Sequence, residues 1–471
     1  MRNIRKIAVL FLVGVFLLSM VPPFEVYGAG TIKIFLNGKE IKPDVPPVMK
    51  SNRVLVPFRF LSENLGAGVH WDERTRTITA EKGGTEIILK IGNPVAYING
   101  KPVKLDVPAL IVNGRTLVPI RFFSEAFGAQ VGWDGAKMAV FITIKEGLAK
   151  YVLGYYYSQS YDDFVKNADK LSSIAAKWYT LDQNSNLTSY DNSRWIMKPE
   201  EHGSVLETAR QNGVKVFALI FENDRARLSQ ALGTPEKRKA LVDQIVNEVE
   251  KENYDGVNID FEYIKPEDGE NFSNFILELY NALKSKNKTL SLSLPAKTEK
   301  HDWWPAYDYE ILGRYSDFAV VMAYDRNPGT PGPQAGVDWT REVVDYAIAR
   351  IPAQKVVLGI GYYGYAWAES GRYTVLEEKN QMTYSRILFL DELKSKYGLK
   401  MNLDGSSLMA YGSFKDEKGA TYQIWMENRA SVDAKCKLVI EKGLKGIAVW
   451  RLGYTTANFW QAVNDNFKPA K

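Results

Sequence analysis

From residue 150 onward the chain alternates short apolar runs with longer amphipathic stretches. The runs are Tyr151–Tyr157, Ile174–Leu181, Val214–Phe221, Gly256–Tyr263, Thr289–Leu294, Phe318–Tyr324, Val356–Tyr362 and Gly446–Arg451. They are near-continuous in apolar and β-branched residues, the pattern of strands buried on both faces. Helical periodicity lies between them. In one stretch Thr234 offers an N-cap and Pro235 suits the first turn, and Leu241, Val242, Ile245, Val246 and Val249 form one face. Eight buried strands alternating with helices predict a (β/α)8 barrel, with a doubly wound open sheet as the competing arrangement. The stretch from about 368 to 440 is too long for one connection and predicts an α+β insertion between strands 7 and 8.

The region before residue 150 repeats itself. Arg53 to Asp72 reappears as Arg115 to Asp134, an offset of 62 residues that also relates Asn37-Gly38-Lys39 to Asn99-Gly100-Lys101. Two copies of one supersecondary unit follow. Each predicts a hairpin at Asn-Gly, an extended Leu-Val-Pro, a short helix and closing strands around Trp-Asp. Leu61, Leu65, Phe123 and Phe127 sit at helical spacing as core, and Arg59 and Arg121 are expected to pair with nearby carboxylates. The Leu-Val-Pro-x-Arg-Phe and Trp-Asp signatures over about 32–145 resemble the copper amine oxidase N-terminal-like domain. The resemblance implies a non-catalytic module over 30–146, either wall-binding or a spacer. The chain lacks the several His ligands that oxidase chemistry needs.

The start and the composition narrow the class. Arg2, Arg5 and Lys6 precede an apolar run from Ile7 to Val21, and small residues follow at Gly28 and Ala29. This is the layout of a secretory signal over 1–29, and the run is short for a membrane span. Lys and Arg number 60 against 55 Asp and Glu, a formal charge of +5, too little to suggest nucleic-acid binding. One cysteine precludes an internal disulfide, and three separated histidines argue against a His-ligated metal. No metal or organic cofactor is implied. Cys436 reads as a buried small hydrophobe.

The chemistry gathers at the end of the fourth strand, in Asp255-Gly-Val-Asn258-Ile-Asp260-Phe-Glu262. Alternate residues share a face, so Asn258, Asp260 and Glu262 point into the barrel while Val257, Ile259 and Phe261 pack outward. Two buried carboxylates are costly, and one pKa rises. A carboxyl kept protonated near neutral pH is what a general acid requires. The C-terminal end of a barrel strand is where active sites of this fold lie.

The segment resembles the family 18 glycoside hydrolases, the chitinase-like family, whose signature is Asp-Gly-x-Asp-x-Asp-x-Glu. Asp255, Gly256, Asp260 and Glu262 match, and Asn258 departs where chitinases carry Asp. Met322-Ala-Tyr324-Asp325, Leu358 to Gly364 and Gly446 to Trp450 match in order, so the resemblance covers about 150–456. It implies substrate-assisted catalysis with retention, an exception to the usual two-carboxylate scheme. Glu262 would be acid and base, and Asp260 would hold the acetamido N–H. Tyr324 would donate to the acetamido oxygen, Asp325 would orient the sugar and Trp450 would floor the ring. The Asn variant resembles spore-cortex and cell-wall members acting at N-acetylglucosamine. Tyr155 and Trp425 are expected beside the site, and Glu427 within reach of it.

Three functions follow. They are a secreted, wall- or spore-associated N-acetylglucosaminidase on peptidoglycan, a chitinase on chitin oligomers, and a barrel that binds N-acetylated glycans without cleaving them. A retained Glu262 argues against the last.

Overall fold

The computed structural model describes residues 32–471 except 37, 66, 83–84, 145–147, 192–195, 200–201 and 380–385. Residues 1–29, expected to be a signal segment, and Asn37 lie outside the described residues. The chain divides into two compact units, one ending at Lys145 and one running from Glu146 to Lys471. Among the described residues no helix is long and apolar enough to cross a membrane.

The first unit is an intertwined duplication. Strands Arg53–Pro57 and Arg115–Pro119 pair antiparallel at its centre, with Val56 opposite Val118, Leu55 opposite Pro119 and Pro57 opposite Leu117. Each of these pairs maps onto itself or onto its mirror under the 62-residue offset, so a pseudo-twofold axis passes between Val56 and Val118. Helices Phe58–Leu65 and Ile120–Ala126 follow the two central strands. Leu61, Leu65 and Phe123 are buried as their spacing predicts, and Phe127 is partly buried. Each fully buried Leu or Phe contributes about 1.5–3 kcal/mol by leaving water. The opening hairpin Lys33–Leu36 and Lys39–Ile41 is completed by the second repeat's closing strands Ala129–Asp134 and Ala139–Ile144. Hairpin Val95–Ile98 and Lys101–Lys104 joins Gly68–Asp72 and Thr77–Lys82 through an extra strand, Thr85–Lys90.

The second unit is the barrel. Its strands are β1 (Leu148–Tyr156), β2 (Ser173–Leu181), β3 (Lys215–Glu222) and β4 (Gly256–Phe261), then β5 (Thr289–Pro295), β6 (Phe318–Met322), β7 (Val356–Gly361) and β8 (Gly446–Trp450). All neighbours are parallel, and β1 pairs with both β2 and β8, which closes the sheet and excludes the open alternative. Two apolar layers follow from strand alternation. Leu153, Tyr155, Ala175, Phe217, Leu219, Phe318, Val320, Val357 and Ala448 fill the interior. Val257, Ile259, Phe261 and their counterparts pack outward beneath the helices. The helix Pro235–Lys251 begins as its sequence predicts, with the Thr234 hydroxyl accepting from the Lys237 amide at 3.3 Å and Leu241, Val242, Ile245 and Val249 buried.

The insertion differs in extent from its predicted 368–440. Its six-stranded sheet opens at Gly364 and closes at Met426, and helix Leu390–Tyr397 accompanies it. The next helix, Arg429–Glu441, starts in a capping box between Asn428 and Ser431 and buries Val432, Cys436 and Val439 in the barrel's outer layer. Residues after 428 therefore belong to the barrel proper.

Candidate active site

The candidate site is built at the C-terminal ends of the strands. On β4, Asn258 and Asp260 point inward and Glu262 follows just beyond the strand's last residue. Asn258 is fully buried in a directed chain of hydrogen bonds. Its amide donates to Ser291 Oγ at 3.0 Å, and that hydroxyl donates to the Val257 carbonyl at 3.0 Å. Ser293 Oγ donates to Asn258 Oδ1 at 2.9 Å and lies 2.7 Å from the Tyr155 hydroxyl. Asn258 and Tyr155 thus brace the floor through β5.

Asp260 is 3% exposed, and its Oδ1 is buried with no hydrogen-bond partner. A buried carboxylate oxygen left without a donor costs free energy and favours any ligand that brings an N–H to it. Burial pushes the Asp260 carboxyl up to about 6, against the pull of the Lys177 ammonium. Burial and then the charge of Asp260 push Glu262 up to about 7, with Asp325 adding to the rise and Lys177 opposing it. Near pH 6.5 the pair therefore includes Asp260 ionised beside Glu262 protonated, the division of labour an acid and a stabilising anion require.

Lys177 has no counterpart among the residues expected from sequence. It sits on β2, on the face of Ala175, where a register shift toward Tyr179 breaks the pairing with β3. Its ammonium lies 3.3 Å from the centroid of the Phe221 ring and 5.1 Å from that of Trp450. Burial lowers its pKa, and Asp260 and Glu262 hold it up. The same period-two count that found Asp260 and Glu262 marks Lys177 as an inward charge.

Tyr324 and Asp325 follow β6. Burial, reinforced by the neighbouring Tyr155, Asp260, Asp325 and Glu262, keeps the Tyr324 hydroxyl protonated far above neutral pH. Asp325 adopts a left-handed φ of 57° and accepts from Tyr363 Oη at 2.8 Å and Tyr365 Oη at 3.0 Å. Burial raises its carboxyl, and the two tyrosines counter that rise. Gly361 at the end of β7 makes room for the group, since a Cβ there would come within 2.7 Å of Tyr363 and 3.1 Å of Tyr324.

The Trp450 ring closes the floor, tilted 5.5 Å from Tyr155 and stacked 6.4 Å from Tyr157. Trp425 lies on the insertion strand Thr421–Met426, directly opposite Tyr365, and stacks on Tyr411 at 4.9 Å. Opposed residues share a sheet face, so Trp425 stands beside the tyrosine that holds Asp325. Glu427 does not reach the cleft. It is 1% exposed, receives a 2.5 Å bond from Ser431 Oγ and is paired with buried Lys435. Among the described residues no group of three or more His, Cys, Asp and Glu side chains could hold a metal ion.

Residues 151–454 match the family model described as glycosyl hydrolases family 18. The chain belongs to that family. It is a glycoside hydrolase by fold and family. Residues 35–142 match the copper amine oxidase N-terminal domain. The family-18 chain is 29% identical over 325 residues to the uncharacterized glycosylase YvbX of Bacillus subtilis, covering 66% of this chain and 88% of that one. It is 26% identical over 239 residues to a cortical fragment-lytic enzyme of Bacillus subtilis, covering 50% of this chain and 54% of the relative. The chitinase from Chromobacterium violaceum superposes with a TM-score of 0.60 at 26% identity, covering 68% of this chain and 99% of the other. The spore cortex-lytic enzyme SleL of Bacillus megaterium has the same fold, with a TM-score of 0.61 at 23% identity over 78% of this chain and 80% of its own.

Proposed function

We propose that this chain is a secreted, retaining glycosidase that hydrolyses β-1,4 bonds at N-acetylglucosamine in peptidoglycan, using the substrate's own acetamido group as nucleophile. The observation that carries the reading is the unpaired, buried Oδ1 of Asp260 beside a Glu262 carboxyl raised to about 7.

Glu262 gives its proton to the glycosidic oxygen as the bond to the anomeric carbon breaks. The acetamido oxygen forms a new bond to that carbon from the opposite face. Asp260 Oδ1 accepts the acetamido N–H and its charge stabilises the cationic ring. Tyr324 donates to the acetamido oxygen and holds it in line. Glu262, now ionised, takes a proton from water as the water oxygen bonds to the anomeric carbon and the bond to the acetamido oxygen breaks, which frees the acetamido group and restores the original anomeric configuration. Asp325, fixed by Tyr363 and Tyr365, orients the sugar. Trp450 carries its apolar face, braced from beneath by Tyr155, with Trp425 as a flanking wall.

The departure at Asn258 supports a wall substrate over chitin, as does similarity to relatives whose names describe lysis of spore cortex. Secretion rests on the residue pattern of 1–29. The test incubates the chain and its Glu262→Gln variant with purified peptidoglycan and with chitin oligosaccharides, and identifies new reducing ends by mass spectrometry. Ends at N-acetylglucosamine from peptidoglycan, absent with the variant, are expected. Products mainly from chitin would transfer the assignment to a chitinase. Binding without products from either would leave a glycan-binding barrel.

A further inference from the structure

The duplicated unit holds two open clefts of about 490 Å³ each. One is lined by Trp133, Arg121, Glu125, Lys104 and Asp106 of the second repeat and Arg53 of the first. The other is lined by the residues 62 positions away, Trp71, Arg59, Glu63, Lys42, Asp44 and Arg115. The pseudo-twofold that relates Val56 to Val118 therefore relates the clefts. Each is assembled across repeats by one ion pair, Arg53–Asp106 at 2.6 Å and Arg115–Asp44 at 3.0 Å. Those pairs consume one arginine and one aspartate per cleft.

What remains in each is an indole, a second arginine, a lysine and a glutamate. Trp133 is 39% exposed, an uncommon position for the largest apolar side chain. Arg121 is only 3.9 Å from Glu125, a loose pair, and Arg59 is exposed and makes no ion pair among the described residues. A tightly packed spacer would have covered the Trp133 indole and closed these pairs, and Trp71 at the counterpart position is half-buried against the core with its remaining face open to the cleft.

We propose that the two clefts are equivalent binding sites for a glycan that carries carboxylates, each seating a sugar face on its tryptophan and a carboxylate on its second arginine. Aromatic faces take the C–H face of a sugar, and the planar guanidinium fork matches a carboxylate. One excess cation per cleft suits a single carboxylate rather than a dense phosphate polymer. Peptidoglycan carries carboxylates on its peptide stems, whereas chitin carries none. The identity of the ligand rests on the wall-glycan reading above, and the clefts deepen it: the module selects the wall while the barrel cuts.

The test uses the full chain carrying Glu262→Gln, so that nothing is cleaved. Its retention is measured on sacculi stripped of phosphate polymers and on chitin beads, with and without Arg59→Glu and Arg121→Glu. Each single substitution is expected to weaken retention on sacculi about tenfold or more through lost bivalency, and the double to abolish it. Retention on chitin is expected to stay the same. Trp133→Ala, at an exposed indole, is expected to act like Arg121→Glu. In chains with Glu262 intact, the two arginine substitutions leave hydrolysis of a chromogenic N-acetylglucosaminide and the melting transitions of the chain unchanged, which shows that both units are folded. Unaltered retention of the double variant on sacculi would overturn the proposal, as would equal losses on chitin. Complete loss from one substitution would overturn the equivalence of the sites. Cleavage of peptidoglycan by the unsubstituted barrel is read separately, so failure of the wall assignment is distinguishable from failure of the clefts.

Discussion

Replacing Lys177 with Met is the sharpest probe of the site's charge balance. The ammonium opposes the rise of both Asp260, which sits at about 6, and Glu262, at about 7. The proposed mechanism needs Asp260 ionised and Glu262 protonated, so under it kcat/KM should follow a bell centred near pH 6.5. An opposite charge within a few ångströms shifts a carboxyl by roughly 1–3 units, and a cation shared between two carboxylates falls at the low end, ~1 unit or ~1.4 kcal/mol each. Loss of the cation raises both values and slides the bell about one unit alkaline. At pH 5.5 the ionised fraction of Asp260 then falls roughly eightfold, and at pH 8 the protonated fraction of Glu262 grows roughly fivefold. Met keeps an apolar side chain against Phe221, whose ring lies 3.3 Å from the ammonium. The assay is kcat/KM against pH on a chromogenic N-acetylglucosaminide for the parent, Lys177→Met and the charge-keeping Lys177→Arg. Limbs that stay in place in Lys177→Met would refute the assigned role. So would an equal shift in Lys177→Arg.

Four further variants test the geometry. Glu262→Gln should lower kcat on peptidoglycan by about 10²–10⁴ while leaving binding measurable by calorimetry. The same variant should be more stable than the parent by about 3 kcal/mol at pH 8 and little different at pH 4, read from melting temperatures. A folded pKa of about 7 against an ordinary 4.5 means that Glu262 favours folding below pH 4.5 and that this support is lost as pH rises through 7. Asn258→Asp should move the acidic limb of the pH–rate profile, because Ser291 must leave the Val257 carbonyl to serve a second acceptor; an unmoved limb removes Asn258 from the charge balance. Gly361→Ala should cost activity at least tenfold with near-native far-UV circular dichroism, since its Cβ would meet Tyr363 at 2.7 Å. Lys435→Met should destabilise by about 3–5 kcal/mol by stranding the charge of buried Glu427, and adding Glu427→Gln should recover most of it in a chemical denaturation series.

The barrel was legible because each strand is a short apolar run that ends where its helix pattern begins, as at Gly256 and Val356. Asp260 and Glu262 announced themselves by two-residue spacing in an otherwise apolar strand. Lys177 obeys the same spacing but stands alone in Ile174-Ala-Ala-Lys-Trp-Tyr, and its bulge makes both Trp178 and Tyr179 face outward. A single charge in a strand gives no pair to count. The bonds from Tyr363 and Tyr365 to Asp325 join residues about forty positions apart, beyond any local pattern. Glu427 was misplaced because nothing in its flanking sequence reveals that Lys435, two helical turns on, buries with it. The insertion's true end at Met426 was hidden for a similar reason: the helix after Asn428 has a sequence equally suited to either domain.

The crossed pairing of the duplicated unit also sets an order of assembly. The sheet spanning Gly68 to Lys104 joins strands that follow one another in sequence, so it can form as soon as that stretch is available. The hairpin at Lys33 has no such neighbour and waits for Ala139, its partner more than a hundred residues later. Contacts so distant in sequence are slow to form because the intervening loop must first be closed. The earliest described strand to be synthesised thus closes a loop of more than a hundred residues when it pairs. Until it does, the outer edge of Ala139–Ile144 stays open, a template on which another copy's hairpin could dock in its stead.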